Sequence, residues 1–333
     1  MSVTRTRRLL KVVPLATATS LLAVSLAACG AGKSGDAASV KTIKVGMICS
    51  GITPLTTQIA INAHTFPSGI KVEKICFDAG SEAVQALIGG SLDVFMGSTE
   101  HVLSTRAKGL TIKAYAGINN RGPYQLLTKA DSKIKSIADL KGKSVGVSSP
   151  GSLSDTLLRA GAEEQGASYK SMKVIAAGGG TPMQLSIDKN QVAAGMLNEP
   201  QASEMITSGK FRLVWEPKFD YAAIVVVSNS KWVKSHGETM REFLKGLKTA
   251  NDKSQADPTF AIDAAKKDGY KVSPEALKIA VTNGLAGVPE GLKVTEQVYN
   301  DTVKVLEGAG VVKQGAGAPF KDVFDFSYLP AGS

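Results

Sequence analysis

From residue 41 onward, short apolar runs alternate with segments whose apolar residues recur at helical spacing. After Ser81, a candidate N-cap, Val84, Leu87 and Ile88 fall on one helical face, as in an amphipathic helix. Strands that alternate with helices at this pace predict a mainly parallel sheet covered by helices on both faces. The predicted strands of this first set are 42–48, 69–77, 92–96 and 112–118.

A second set of the same kind follows, with loops rich in serine and glycine after its strands. Pro182 occupies the first position of a predicted helix, where its missing N–H costs nothing. The predicted strands of this second set are 144–147, 172–176, 193–197 and 211–215.

An apolar run at 222–227 leads into a tail with mainly helical spacing. A helical tail after two α/β sets suggests that it wraps around the first set. The predicted helices of the tail are 239–254, 258–268, 274–283 and 295–307.

The N-terminal segment has the pattern of a secretory signal: a basic start, an apolar stretch at 12–25 and then small residues. The sequence Leu26-Ala27-Ala28-Cys29 resembles a bacterial lipobox, in which the cysteine thiol receives a diacylglycerol. This resemblance predicts a signal peptide at 1–28, lipidation of Cys29 and an extracytoplasmic protein anchored to the membrane. The alternative is a transmembrane anchor, for which the apolar stretch is short against a hydrocarbon core of about 30 Å.

The formal net charge is +10, and four of these charges lie in the signal, which leaves +6 for residues 29–333. Lysine and arginine are spread without a run, which indicates solubility and a mild attraction for anions but no nucleic-acid surface. Residues 29–40, rich in glycine, alanine and serine, are predicted to form a flexible tether.

Cys49 and Cys76 lie near the ends of the first two predicted strands. An extracytoplasmic location permits a disulfide, and neighbouring parallel strands could bring the two together. The alternative is two separately buried thiols. No cysteine and histidine spacing suits zinc, and no serine, histidine and aspartate set or pair of carboxylates indicates catalysis. We therefore expect no enzyme activity, no metal and no cofactor.

Three segments resemble the extracytoplasmic solute-binding proteins of ABC transporters in the nitrate, sulfonate and taurine class, which includes binders of pyrimidine precursors of thiamine. The phrase Asp139-Leu140-Lys141-Gly142-Lys143 and the loop Pro150-Gly151-Ser152 are specific when taken together. The resembling segments are 80–94, 134–151 and 192–200.

The resemblance implies an α/β protein of the type II periplasmic-binding-protein fold, with two lobes joined by two crossover strands. Carried onto this chain, lobe 1 comprises 41–124 and 226–333, and lobe 2 comprises 125–225. The crossovers would lie near 125–128 and 221–227.

The function implied is capture of a small anionic or zwitterionic solute between the lobes by hinge closure, and its delivery to an ABC permease. The protein would act as a monomer. The alternatives are a cofactor-dependent enzyme on the same fold and a solute-sensing lipoprotein that is not coupled to transport.

Ligands of open parallel sheets bind beyond the carboxyl ends of the strands, where helix N-termini offer unpaired N–H groups. Serine, threonine and glycine in these loops suit an anion or a carboxylate, although helix capping alone would also explain the hydroxyls. Glu199 would repel an anion if it faced the cleft, or it could serve as a first-turn helix acid. Arg121 could pair with a carboxylate or lie on the surface. The predicted ligand-binding residues are Ser50, Gly51, Thr53, Ser81, Ser98, Thr99, Asn119, Asn120, Ser149, Gly151, Ser152, Thr181, Asn198 and Glu199.

Overall fold

A computed structural model describes residues 40–315 and 317–332 of the chain. The signal at 1–28, the lipidation of Cys29 and nearly all of the tether therefore lie outside the described residues. Val40, the last residue of the predicted tether, is exposed. Within the described part of the chain, no helix combines the length and the apolar character that crossing a membrane requires.

Ten strands occur in the described residues, and they agree closely with the predicted apolar runs. Two segments that pair on both sides, 124–129 and 220–229, form strands that extend beyond the predicted segments 125–128 and 221–227. The strands are β1 (Lys41–Ile48), β2 (Ile70–Phe77), β3 (Val94–Gly97), β4 (Ile112–Arg121), β5 (Tyr124–Lys129), β6 (Ser144–Val147), β7 (Lys173–Ala176), β8 (Ala194–Asn198), β9 (Phe211–Trp215) and β10 (Asp220–Asn229).

The helices of the described residues cover the sheets and form the tail. The short helices α7 and α12 were not predicted. The helices are α1 (Leu55–Asn62), α2 (Gly80–Ile88), α3 (Thr99–Arg106), α4 (Leu153–Glu164), α5 (Thr181–Asp188), α6 (Gln201–Thr207), α7 (Ser230–Ser235), α8 (Gly237–Ala256), α9 (Pro258–Lys266), α10 (Pro274–Ala286), α11 (Glu296–Gly308) and α12 (Phe320–Val323).

The strands form two five-stranded sheets with the same topology. The first has the order β2-β1-β3-β10-β4, and the second has the order β7-β6-β8-β5-β9. In each sheet four strands run in one direction, and the fifth, β10 or β5, is antiparallel to both of its neighbours. The prediction of two mainly parallel sheets flanked by helices is therefore confirmed, with one reversed strand in each sheet as an addition.

The chain passes between the sheets at two short connections, Gly122 with Pro123, and residues 216–219. The predicted crossover segments, 125–128 and 221–227, lie within β5 of the second sheet and β10 of the first, the strands that these connections enter. Each connection leads directly into the reversed strand of the sheet that it enters.

The helical tail packs on the first sheet, as predicted, and it also contacts the second half of the protein. The Thr302 hydroxyl of α11 accepts a hydrogen bond of 2.9 Å from the Ala222 N–H of β10. Ser273, the N-cap of α10, donates two hydrogen bonds of 2.7 Å, from N–H and Oγ–H, to Glu204 of α6. The tail therefore spans both sheet units rather than covering the first alone.

A disulfide joins Cys49, directly after β1, to Cys76 in β2. The parallel register of the two strands places Met47 opposite Cys76 and Ile48 opposite Phe77, so the two cysteines lie side by side. Of the two alternatives left open by the sequence, the structure contains the bridge. It lies at the start of the loop that follows β1.

Removal of this bridge should lower the free energy of unfolding by about 3 kcal/mol, because it closes a loop with a sequence separation of 27 residues. We expect this loss for the double variant Cys49→Ser/Cys76→Ser, measured by equilibrium denaturation in urea. A reductant should destabilise the wild-type protein and leave the double variant unchanged. Equal stability of the oxidised wild type and the variant would contradict the prediction.

Candidate functional site

The carboxyl ends of strands from both sheets face one another, and their loops are in direct contact. The loop after β1 meets the loop after β8: the Ile52 N–H donates to the Glu199 carbonyl at 2.8 Å, and Asn198 Nδ2 donates to Thr53 Oγ1 at 2.9 Å. Gly51 lies between them, where an added Cβ would come within 2.4 Å of both Asn198 Nδ2 and the Glu199 carbonyl. Only glycine allows this approach of the two loops.

The carbonyl of Gly51 is held from the other side by two donors. Gln58 of α1 donates from Nε2 at 3.0 Å, and the Tyr270 hydroxyl of the tail donates at 2.9 Å. Gln58 also donates to Tyr270 at 2.7 Å. The loop after β1 therefore has a defined position against the second sheet, because α1 and a residue of the tail both bind its backbone.

A cluster of three predicted serines forms a second contact between the halves. Ser81 of α2 lies 3.3 Å from Ser149 and 3.2 Å from Ser152, measured between hydroxyl oxygens, and its N–H donates to Ser152 Oγ at 3.3 Å. Ser81 is not the N-cap of α2, since that position belongs to Ala79. The hydroxyl of Ser81 is therefore turned to the opposite loop instead of capping its own helix.

The loop that carries Ser149 and Ser152 is fixed by a carboxylate. The N–H of Gly151 donates to Asp155 at 2.9 Å, and the buried Asp155 also accepts from Arg159 and from the Tyr169 hydroxyl. Gly151 itself adopts a positive φ of 77°, which favours glycine.

Ser50 makes the third contact, against the loop before α5. Both Gly179 and Gly180 are buried there, and an added Cβ on Gly179 would lie 2.6 Å from Ser50 Oγ. The Ser50 hydroxyl is buried without a hydrogen-bond partner among the described residues. Thr181, the predicted contact residue of this loop, is exposed, so the two glycines rather than the threonine meet the opposite half.

A small enclosed space of about 20 Å³ lies at the centre, lined by Phe95, Ser98, His101 and Tyr124 among others. Ser98 caps α3 together with His101, whose Nδ1 lies 2.8 Å from the Ser98 hydroxyl. Among the described residues, no hydrogen-bond partner lies within 3.5 Å of the buried His101 Nε2. Burial lowers the pKa of His101, against smaller opposing effects of Glu100 and of the Gly151 backbone. The closed centre therefore favours a neutral imidazole.

A larger cavity of about 340 Å³ adjoins the two connections between the sheets. It contains the predicted residues Thr53, Asn119 and Glu199, and Thr53 also lines the small central space. Its volume is within the range of sites for small molecules. The remaining lining residues are Ile52, Arg121, Gly122, Pro123, Gln125, Glu216, Pro217, Ala280, Asn283 and Gly284.

Glu199 both contacts the first turn of α6 and lines the larger cavity. Its carboxylate accepts from the N–H and the hydroxyl of Ser203 in the first turn of α6, at 3.0 and 2.9 Å, and it also lines the larger cavity. Gln125 Nε2 lies 3.5 Å from its Oε1. Burial raises the pKa of Glu199, whereas the hydrogen bonds from Ser203 and Asn283 oppose this effect.

Two other predicted residues make hydrogen bonds to backbone carbonyls. The Thr99 hydroxyl donates to the Ala222 carbonyl at 2.8 Å, which ties α3 to β10. Asn120 donates its backbone N–H to the Gly287 carbonyl at 2.7 Å, while its buried side-chain oxygen has no partner among the described residues.

Sequence reasoning missed several residues of the site. Gln125 and Glu216 lie next to the connections, and Asn283 belongs to α10 of the tail. Nothing in their local pattern marks them, because their place follows from the packing of distant segments. His101 lay close to the predicted Ser98 and Thr99, and its spacing of three residues from an N-cap could have indicated the capping role.

Within the described residues, no group of three or more histidine, cysteine, aspartate or glutamate side chains could hold a metal ion. The side chains around the small space and the larger cavity supply hydroxyls, amides, a histidine and a few charges.

The chain belongs to the NMT1/THI5-like family, whose sequence model matches residues 67–261, more than half of the chain. The resemblance noted in the sequence is thereby confirmed. None of the curated proteins matches the chain.

Solved structures with the same fold support the two-lobed type II architecture. A protein from Bordetella bronchiseptica RB50 is 21% identical, with a TM-score of 0.75, over 86% of this chain and 95% of that one. The alkanesulfonate-binding protein SsuA from Xanthomonas axonopodis pv. citri is 20% identical, with a TM-score of 0.68, over 83% and 95%. The periplasmic nitrate-binding protein NrtA from Synechocystis PCC 6803 is 13% identical, with a TM-score of 0.67, over 87% of each chain.

The Gly51 contact gives a prediction about closure. Gly51→Ala should raise the free energy of the closed form by about 1–3 kcal/mol, because the added carbon collides with a backbone oxygen. Small-angle X-ray scattering should then give a larger radius of gyration than for the wild type. Gly69→Ala is the matched control, since an added Cβ there meets nothing within 4 Å. An unchanged radius in Gly51→Ala would contradict the prediction.

The lowered pKa of His101 gives a prediction about pH. The unfolded chain takes up a proton near the ordinary histidine pKa of about 6.5, whereas the folded protein does so only at lower pH. This residue's contribution to stability is therefore complete above about pH 6.5 and is lost as the pH falls toward the folded pKa. The free energy of unfolding should decrease less on acidification in His101→Gln than in the wild type, and identical slopes would refute the assignment.

Proposed function

We propose that the protein is the solute-binding component of an ABC importer, which captures a small solute between its two sheet units. The observation that carries this proposal is the cavity of about 340 Å³, lined from both units and from both connections. A space so placed opens and closes when the units rotate about the connections, Gly122 with Pro123 and residues 216–219. Family membership and the shared fold support the same function.

Closure of this kind requires the solute to prefer the closed form, because equal affinity for both forms would shift nothing. The closed form has its own contacts between the units: the backbone bond of Ile52 to Glu199, the serine cluster around Ser81, and the pair of hydrogen bonds from Ser273 to Glu204. Hinge closure around a ligand is a recurring transition in proteins with two lobes.

The proposal extends to location and partners. The lipobox at 26–29 supports lipidation of Cys29 and an extracytoplasmic protein held at the membrane. The closed form would then dock on a permease and release the solute there.

Solute binding can be tested with a broad metabolite library. We expect at least one solute to raise the melting temperature of the purified protein and to bind with 1:1 stoichiometry in calorimetry. A solute present at 100 times its Kd should add about 2.7 kcal/mol to the free energy of unfolding. Its binding should also reduce the radius of gyration.

Gly51→Ala should weaken binding of the same solute, while Gly69→Ala should bind it like the wild type. Absence of binding by every member of the library, together with an unchanged radius, would refute the proposed function.

A further inference from the structure

The larger cavity carries more negative than positive charge. Its lining includes one cation, Arg121, and two carboxylates, Glu199 and Glu216. Arg121 is exposed, whereas both glutamates are partly buried. Within the described residues, none of the three forms an ion pair of 4.0 Å or less. The charges are thus left for a bound molecule or for solvent.

The hydrogen-bonding groups of the cavity are also biased, toward acceptors. Gln125 directs Nε2 to Glu199, which leaves its Oε1 as a buried acceptor without a partner among the described residues. The carboxylate of Glu216, which also lines the cavity, is partly buried. A buried acceptor without a partner is costly, so a ligand with an N–H donor would fit Gln125 Oε1.

The ionisation of Glu199 bears on the sign of the ligand. Burial raises the pKa of Glu199, and the two hydrogen bonds from the Ser203 N–H and hydroxyl oppose this effect because they favour the charged form. Glu216 adds a second carboxylate, so the cavity would remain acidic even if Glu199 took up a proton. An anion without an N–H donor would face repulsion here, with only the exposed Arg121 to compensate.

We propose that the solute carries a protonated nitrogen, as an ammonium or amidinium group, which lies against Glu199 and Glu216. A carboxylate or sulfonate on the same molecule would lie toward Arg121, so cations and zwitterions are accepted and simple anions are rejected. This inference rests on the proposed function. It retains the zwitterions of the sequence prediction, adds cations and excludes simple anions.

Three probes with one skeleton and different charge test the inference: benzamidine, benzamide and benzoate. Saturation-transfer NMR on the purified full-length protein detects weak binding of each. We expect benzamidine to bind at least about tenfold more tightly than benzamide, and benzoate to bind more weakly still. Binding of benzoate equal to or tighter than that of benzamidine overturns the inference, as does failure of benzamidine to bind.

Charge-neutral variants locate the contact. Glu199→Gln and Glu216→Gln should each weaken benzamidine binding by about tenfold, while Glu73→Gln, on the exposed part of β2, should leave it unchanged. Glu199 also accepts hydrogen bonds from Ser203 in α6, so the thermal stability of Glu199→Gln is compared with that of the wild type. Glu216→Gln tests the charge without disturbing this contact. Unchanged binding in Glu216→Gln overturns the inference.

The two proposals fail in different ways. If metabolites bind with closure but all of them are anions without a nitrogen donor, the charge assignment is wrong and the proposed function stands. If no metabolite binds at all, the proposed function itself is wrong.

Discussion

The approach of the β1 loop to the β8 loop is the contact on which the arrangement of the two halves depends. At Gly51 the backbone of the first half comes so close to Asn198 and Glu199 that no side chain fits between them. The carbonyl of Gly51 is fixed by Gln58 and Tyr270, so the loop is positioned before it meets the opposite half. The enclosed spaces on either side of this contact, small at the centre and larger near the connections, exist because the two loops touch here.

The duplicated topology explains why such a contact can form. Each sheet places the carboxyl ends of four strands on the side that faces the other sheet, and each admits one reversed strand that arrives from its partner. The two connections are short, and both lie next to the larger cavity. The tail contributes to this boundary as well, since Ser273 caps α10 and at the same time binds Glu204 of the second half.

Charge and polarity are distributed unevenly across the site. The contacts near the centre are made by uncharged groups, the serine cluster and the glycines around Ser50, and burial there keeps His101 neutral. The carboxylates of Glu199 and Glu216 lie instead near the connections. Uncharged groups and carboxylates therefore occupy different parts of the site.

The sequence by itself determined the alternation of strands and helices, the two α/β sets, the helical tail and the loops that would meet, because hydrophobic period and turn residues are local signals. It identified Gly51, Thr53, Asn198, Glu199 and the serines at 81, 149 and 152 through their places after strands. It left both the pairing of Cys49 with Cys76 and the role of Glu199 open. Gln125, Glu216 and Asn283 became site residues only through tertiary structure, because segments distant in the chain meet around one cavity and no local pattern records that meeting.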